Sequence, residues 1–155
     1  MVRAIQEFKK NRRLKIENLI VHCSATREGQ HITIETIKDW HVNGNGWSDI
    51  GYHYVIHLDG AIKKGREDNV HGAHCKGQNS RSLGICYIGG VEEDGKTPKD
   101  TRTCKQKESL ECLLMTLKAI YTDSIVCSHN DFANKACPSF NATEEYKYIS
   151  DIEYE

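Results

Sequence analysis

The chain of 155 residues lacks any long apolar run. The apolar run Leu19–Val21 is far too short for a membrane span or for the apolar region of a signal peptide. The sequence therefore predicts no membrane insertion and no export signal. It also lacks an excess of either charge. A formal net charge of −1 gives no basic field for nucleic acid. Seven cysteines are present, but none form CxxC pairs, which argues against a zinc ribbon or a thioredoxin-like motif. Seven is odd, so at least one cannot pair within the chain. With no export signal, most are expected to be free thiols in a reducing cytosol. No HExxH motif occurs, so the thermolysin arrangement with its glutamate base is excluded. There is no internal repeat, low-complexity tract or linker.

What is present is an ordinary globular balance, 38% apolar and 28% charged, in a length that suits one domain with a real core. Eight histidines are a rich supply for metal or acid–base chemistry. Residues 1–16 read as a mobile, charged N-terminal arm, and 17–150 as a single domain. A first strand is expected at 17–23, and a helix from Thr33 to Asn43-Gly44 with Ile34, Ile37, Trp40 and His41 on one face. Residues 52–58 alternate, placing Tyr52, Tyr54, Ile56 and Leu58 opposite His53, Val55 and His57. Asp59-Gly60 predicts a hairpin turn into a short strand near 61–64. A polar loop at 66–81 precedes a strand at 83–88, stopped by Gly89-Gly90. A second polar loop covers 91–102. Thr103 with Gln106 forms a capping-box pattern for a helix carrying Leu110, Leu113, Leu114, Leu117, Ile120 and Tyr121. A strand at 124–127, a loop at 128–140 and a terminal helix near 143–148 complete the chain. Interleaved strands and helices with one hairpin predict a mixed α/β class, a central mixed sheet flanked by helices.

Strand ends and the loops after them are where such sheets present chemistry. His22 ends the first strand, His129 follows the last, and Cys137 lies eight residues further on. Imidazole and thiolate are the usual zinc ligands, and three protein ligands leave a fourth position open, as catalytic zinc requires. Taken singly, each residue also has an ordinary explanation, a partly buried histidine or a small core thiol. Cys23 follows His22 and is expected to point to the opposite face. Cys86, Cys104 and Cys112 are expected to be packing residues.

Four segments raise the weight of these positions: VHCSAT (21–26), WSDIGYHYVIHLDGAIKKGRE (47–67), GAHCKGQNSRSLGICYIGG (72–90) and HNDFANKACPSF (129–140). Together, over about residues 17–140, they resemble the zinc-dependent N-acetylmuramoyl-L-alanine amidases. The likeness is greatest to the phage amidases called lysozymes, and it extends to the peptidoglycan recognition proteins that share their fold. The resemblance implies one Zn2+ on His22, His129 and Cys137, with Tyr52 and Lys135 as catalytic neighbours. Asn130 stands where some relatives have a second, non-ligating histidine. The resemblance also places His74 in the substrate cleft. Trp47 is a candidate cleft wall, and Asn79 a candidate bond to the peptide stem or a turn-holding residue. Arg66 reads as a structural hydrogen-bonding residue.

The implied reaction is hydrolysis of the amide between N-acetylmuramic acid and L-alanine of the peptidoglycan stem, by a phage or prophage lysis enzyme. Such an enzyme is made in the cytoplasm and acts on the wall after release. Zinc polarises a carbonyl and lowers the pKa of its water from ~15.7 toward ~7. A tyrosine hydroxyl and a lysine ammonium can stabilise the oxyanion. The general base stays open among Tyr52, Lys135 and a more distant group. Peptidoglycan or a muropeptide is the expected partner, and a monomer the expected state. Three other readings stand beside this one: a non-catalytic wall-binding module, an added RNA polymerase contact of the kind some phage relatives make, and a Cys–His hydrolase using Cys137 or Cys23.

Overall fold

The computed structural model describes residues 15–155. Residues 1–14 of the expected arm, and any polymerase contact they would make, lie outside that range, but Ile16 lies within it and is buried in the main core, so the arm ends earlier than its charge pattern predicts. Strand β1 (Asn18–Cys23) is the centre of the fold. It pairs in parallel with β5 (Ser82–Tyr87) on one side and with β7 (Ile125–Ser128) on the other. Beyond β5 lie β3 (Tyr54–Ile56), parallel to it, and β4 (Ile62–Lys64), antiparallel to β3. The order β4-β3-β5-β1-β7 is the mixed sheet the sequence predicts.

Two short strands, β2 (Thr26–Arg27) and β6 (Gly90–Val91), form a separate parallel pair outside the strands that the sequence predicts. Each has only two residues, too few to leave a period. The strand expected at 52–58 is regular only over Tyr54–Ile56, so the alternation fails at its ends. Tyr54 and Ile56 join the main core, whereas Tyr52 and Leu58 pack with Val55 on the other side.

Helix α1 (Ile34–Asp39) starts at the Thr33 cap, whose hydroxyl accepts the Thr36 N–H, and runs on as a wider turn through Gly44. Ile37 is buried, but Trp40 is 42% exposed and does not share the buried face expected for it. The widened turn shifts the angular position of residues 40–44 away from helical spacing. Helix α2 (Cys104–Ile120) carries the predicted capping box. Thr103 Oγ1 accepts the Gln106 N–H at 3.1 Å, and Gln106 Oε1 accepts the Thr103 N–H at 2.9 Å. The Gln106 amide then donates to the carbonyls of Ile88 and Ile56, tying the helix to the ends of two strands. Leu110, Leu113, Leu114 and Leu117 are buried against the sheet. Cys104 and Cys112 are exposed, correcting the expectation that they pack. They lie eight positions apart, on the solvent side of the helix that buries 106, 110, 113, 114 and 117. Helices α3 (Ala142–Glu145) and α4 (Lys147–Ser150) close the same side near β7.

Period two now divides the sheet. Leu19, Val21 and Cys23 of β1 join Leu83, Ile85 and Tyr87 of β5 in the main apolar core under α2. The alternate residues, Ile20 and His22 of β1 with Ser82, Gly84 and Cys86 of β5, face the other way.

Candidate active site

The β1–β7 register pairs Val21 with Ser128, so His22 and His129 emerge side by side at the carboxyl edge of adjacent parallel strands. His22 Nδ1 lies 3.1 Å from His129 Nδ1 and 3.8 Å from Cys137 Sγ. Among the described residues, these three offer one ligand atom each, all within 4.8 Å of one another. Zn–N bonds of about 2.0–2.1 Å and a Zn–S bond of about 2.3 Å at tetrahedral angles separate the donors by roughly 3.3 Å (N to N) and 3.6 Å (N to S). The spacings found suit such an ion, and the three residues can hold a metal.

The loop carrying Cys137 is fixed from several sides. Tyr87 Oη donates to the Pro138 carbonyl at 2.7 Å, and Ser139 Oγ to the Gly90 carbonyl at 2.7 Å. The buried Arg102 guanidinium lies 3.5 Å above the Phe140 ring while pairing with Asp100 and Glu145. Cys137 Sγ accepts the Cys23 N–H at 3.2 Å, which favours a thiolate, but the adjoining Cys23 thiol and burial push the Cys137 thiol up overall, so it keeps its proton until a cation displaces it. Cys23 itself packs with the main core, as its place in β1 predicts.

Burial pushes the His22 imidazole well below its usual pKa, and His74, His129 and Lys135 push the same way. Burial likewise lowers His129, with Lys135 adding to the effect. Burial pushes His74 down to about 3, helped by His53, His129 and Arg66. All three rings are therefore neutral at neutral pH, the state a metal ligand or its hydrogen-bond partner needs. Tyr52 packs its ring 5.2 Å from that of His22, and burial drives its phenol well above the ordinary value, so it keeps its proton.

Next to the metal position is a cleft of about 670 Å³ lined by Trp47, His74, Asn79, His129, Phe132 and Lys135, among others. The sequence-predicted residues thus gather around one site, though in different roles. Lys135 is exposed on the cleft wall. Trp47 is also on the wall, 37% exposed, and its ring lies 4.7 Å from that of His41. Asn79 Oδ1 accepts the N–H groups of His74 and Cys75 at 2.9 and 3.0 Å, so that oxygen holds the turn. His74 places Nδ1 2.8 Å from His22 Nε2, directly behind the candidate ligand. Arg66 donates to the carbonyls of Ile50 and His71, a structural role as expected.

Two contributors escaped the sequence reading. His41 Nδ1 accepts the Gly51 N–H at 2.9 Å, fixing the chain just before Tyr52. Ser82 Oγ lies 3.1 Å from His74 Nε2. A histidine beside Trp40 was visible in the sequence, but a lone serine at a strand start carries no such signal.

The sheet edge, the three converging ligand atoms and the open cleft define a metal-competent hydrolytic site. The N-acetylmuramoyl-L-alanine amidase pattern matches residues 12–140. The endolysin of Enterobacteria phage T3 is 43% identical over 129 residues, covering 83% of this chain and 84% of that protein. The endolysin of Escherichia phage T7 is 42% identical over 123 residues, covering 79% and 80%. Among solved structures, the N-acetylmuramoyl-L-alanine amidase LysC from Clostridium intestinale URNW superposes with a TM-score of 0.75 at 30% identity, covering 90% and 88%. The chain belongs to the N-acetylmuramoyl-L-alanine amidase family.

Proposed function

We propose that the chain is a zinc-dependent amidase that cleaves the bond between N-acetylmuramic acid and the L-alanine of the peptidoglycan stem, with Zn2+ held by His22, His129 and Cys137. The observation that carries this reading is the convergence of those three ligand atoms beside an open cleft. When bound, zinc supplies Lewis-acid polarisation of the scissile carbonyl and a water of lowered pKa. The chain's own residues do the rest. Lys135, on the cleft wall, brings an ammonium to the oxyanion that attack creates. Tyr52 keeps its proton and is a hydrogen-bond donor to the same charge. Trp47 forms an apolar wall for the muropeptide, and His74 and Asn79 line the same cleft. The enzyme acts as a monomer, in wall lysis after release from the cell that made it. No helix among the described residues is long and apolar enough to cross a membrane.

The test is purified protein on defined muropeptides, with bound zinc measured in the same samples. Free N-terminal L-alanine is expected, with no new reducing sugar ends, one zinc per chain, and loss of turnover on chelation. New reducing ends would overturn the amidase reading. Wall binding without turnover by zinc-loaded protein would make it a binding module instead.

A further inference from the structure

His74 supplies no ligand atom to the metal cluster, yet its ring is held as tightly as those that do. A Cβ placed on Gly84 would meet the His74 ring at 2.6 Å, and one on Gly72 would meet it at 2.5 Å. The ring thus sits in a slot that two glycines leave open. Asn79 fixes its backbone from one side, and Asn18 Nδ2 donates to Gln78 Oε1 at 3.0 Å, anchoring the turn that follows.

Within that slot the hydrogen bonds run in one direction. Ser82 Oγ donates to the Gln78 carbonyl at 2.7 Å. A hydroxyl has one proton, so toward His74 Nε2, 3.1 Å away, Ser82 Oγ accepts. His74 then carries its proton on Nε2 and leaves a lone pair on Nδ1. That lone pair faces His22 Nε2 at 2.8 Å, so His22 is the donor there. A neutral imidazole with a proton on Nε2 has its lone pair on Nδ1. In His22, Nδ1 is the atom that faces His129 Nδ1 and Cys137 Sγ.

We propose that Ser82 is a positioning residue for the metal centre: acting through His74, it locks His22 in the Nε2–H tautomer and presents Nδ1 to the ion. The proposal rests on the reading of His22, His129 and Cys137 as zinc ligands. The opposite tautomer would put a proton on the ligating nitrogen, and binding would then have to displace it. Outer partners of this kind typically change metal affinity by about 10–100-fold.

The test reads the imidazole nitrogens of the metal-free protein, labelled with 15N-histidine, by long-range proton–nitrogen spectra. Zinc affinity is then measured by competition with a chelator. In the native protein both His74 and His22 are expected as Nε2–H tautomers. Ser82→Ala removes the acceptor for His74 Nε2–H. The pair is then free to invert, with His74 donating from Nδ1 and His22 protonated on Nδ1. Mixed tautomers at both rings are expected, with zinc affinity lower by about 10–100-fold. Ser82→Thr keeps the hydroxyl and is expected to restore both readouts. Native tautomers in folded Ser82→Ala would overturn the proposal, as would unchanged zinc affinity. So would Ser82→Thr behaving like Ser82→Ala. If Ser82→Ala does not fold, the native spectrum still decides: a proton on Nδ1 of His22 or His74 rules the lock out. Native protein with the expected tautomers but no zinc binding would refute the metal reading instead, so the two failures are distinguishable.

Discussion

The two faces of the central sheet are built from alternate residues of the same strands, yet they obey different rules. Under α2, Leu19, Val21, Leu83, Ile85, Leu110 and Leu114 form a dry, close-packed core. On the other face, His22, His53, His74 and Ser82 form a layer of imidazoles and hydroxyls held by directed bonds, next to small apolar clusters. The first face is set by volume and burial, which tolerate exchange among apolar residues of similar size. The second is set by which atom donates and which accepts, and tolerates little. Stability comes mainly from one side of each strand and chemistry from the other, so damage to the two faces should separate in experiment.

The widest separation is expected at the ligands. Cys137→Ala should abolish stoichiometric zinc and essentially all turnover, measured by metal analysis alongside muropeptide hydrolysis, while the main core stays folded. Next come Lys135→Ala and Tyr52→Phe, each expected to lower turnover by about 10²–10³ with zinc retained. Kinetics on zinc-loaded protein would check this, and unchanged turnover in either variant would remove that residue from the mechanism. Leu114→Ala is the converse probe. Its side chain is fully buried, and truncation is expected to cost about 2–5 kcal/mol in urea unfolding. Zinc stoichiometry should remain native in the folded fraction.

Acid should discriminate between the faces as well. His22, His74 and His129 have folded pKa values below 6.5, that of His74 at about 3, with burial the leading cause. Their unfolded forms take up protons below about pH 6.5 while the folded forms stay neutral. The stability they allow is therefore complete above that pH and is lost as pH falls below it, for His74 down to about pH 3. Each ring contributes a slope of up to about 1.4 kcal/mol per pH unit, readable in unfolding of the metal-free protein. A flat profile over that range would place the imidazoles in water rather than in a buried layer. The smallest effect is expected outside both faces. Cys104→Ser with Cys112→Ser, on the exposed side of α2, should shift stability by no more than about 0.5 kcal/mol.

Much of the dry face was legible. The leucine spacing of α2 and its Thr103–Gln106 box are local patterns, because helix period and cap geometry involve neighbours in sequence. The hairpin at Asp59-Gly60 was local in the same sense. The exposed Cys104 and Cys112 were misread by residue type, although their helical positions already placed them outward. The β2–β6 pair and the early end of the strand at Tyr54 depend on partners far along the chain, and short segments announce neither.

The catalytic face divides the same way. Residue types and the four family-like segments point to His22, His129, Cys137, Tyr52 and Lys135, because a family's chemistry is carried by a few side chains in a fixed order. Sequence by itself therefore determined the class of fold, the helical core and the set of candidate ligands. Only tertiary structure decided that Val21 pairs with Ser128, so that His22 meets His129, and that His74 sits behind His22 rather than only facing substrate. It alone showed that Ser82 and Gly84 shape that ring's slot. The physical reason is that hydrogen-bond direction and strand register are relations between distant residues, and a one-dimensional pattern records only the near ones.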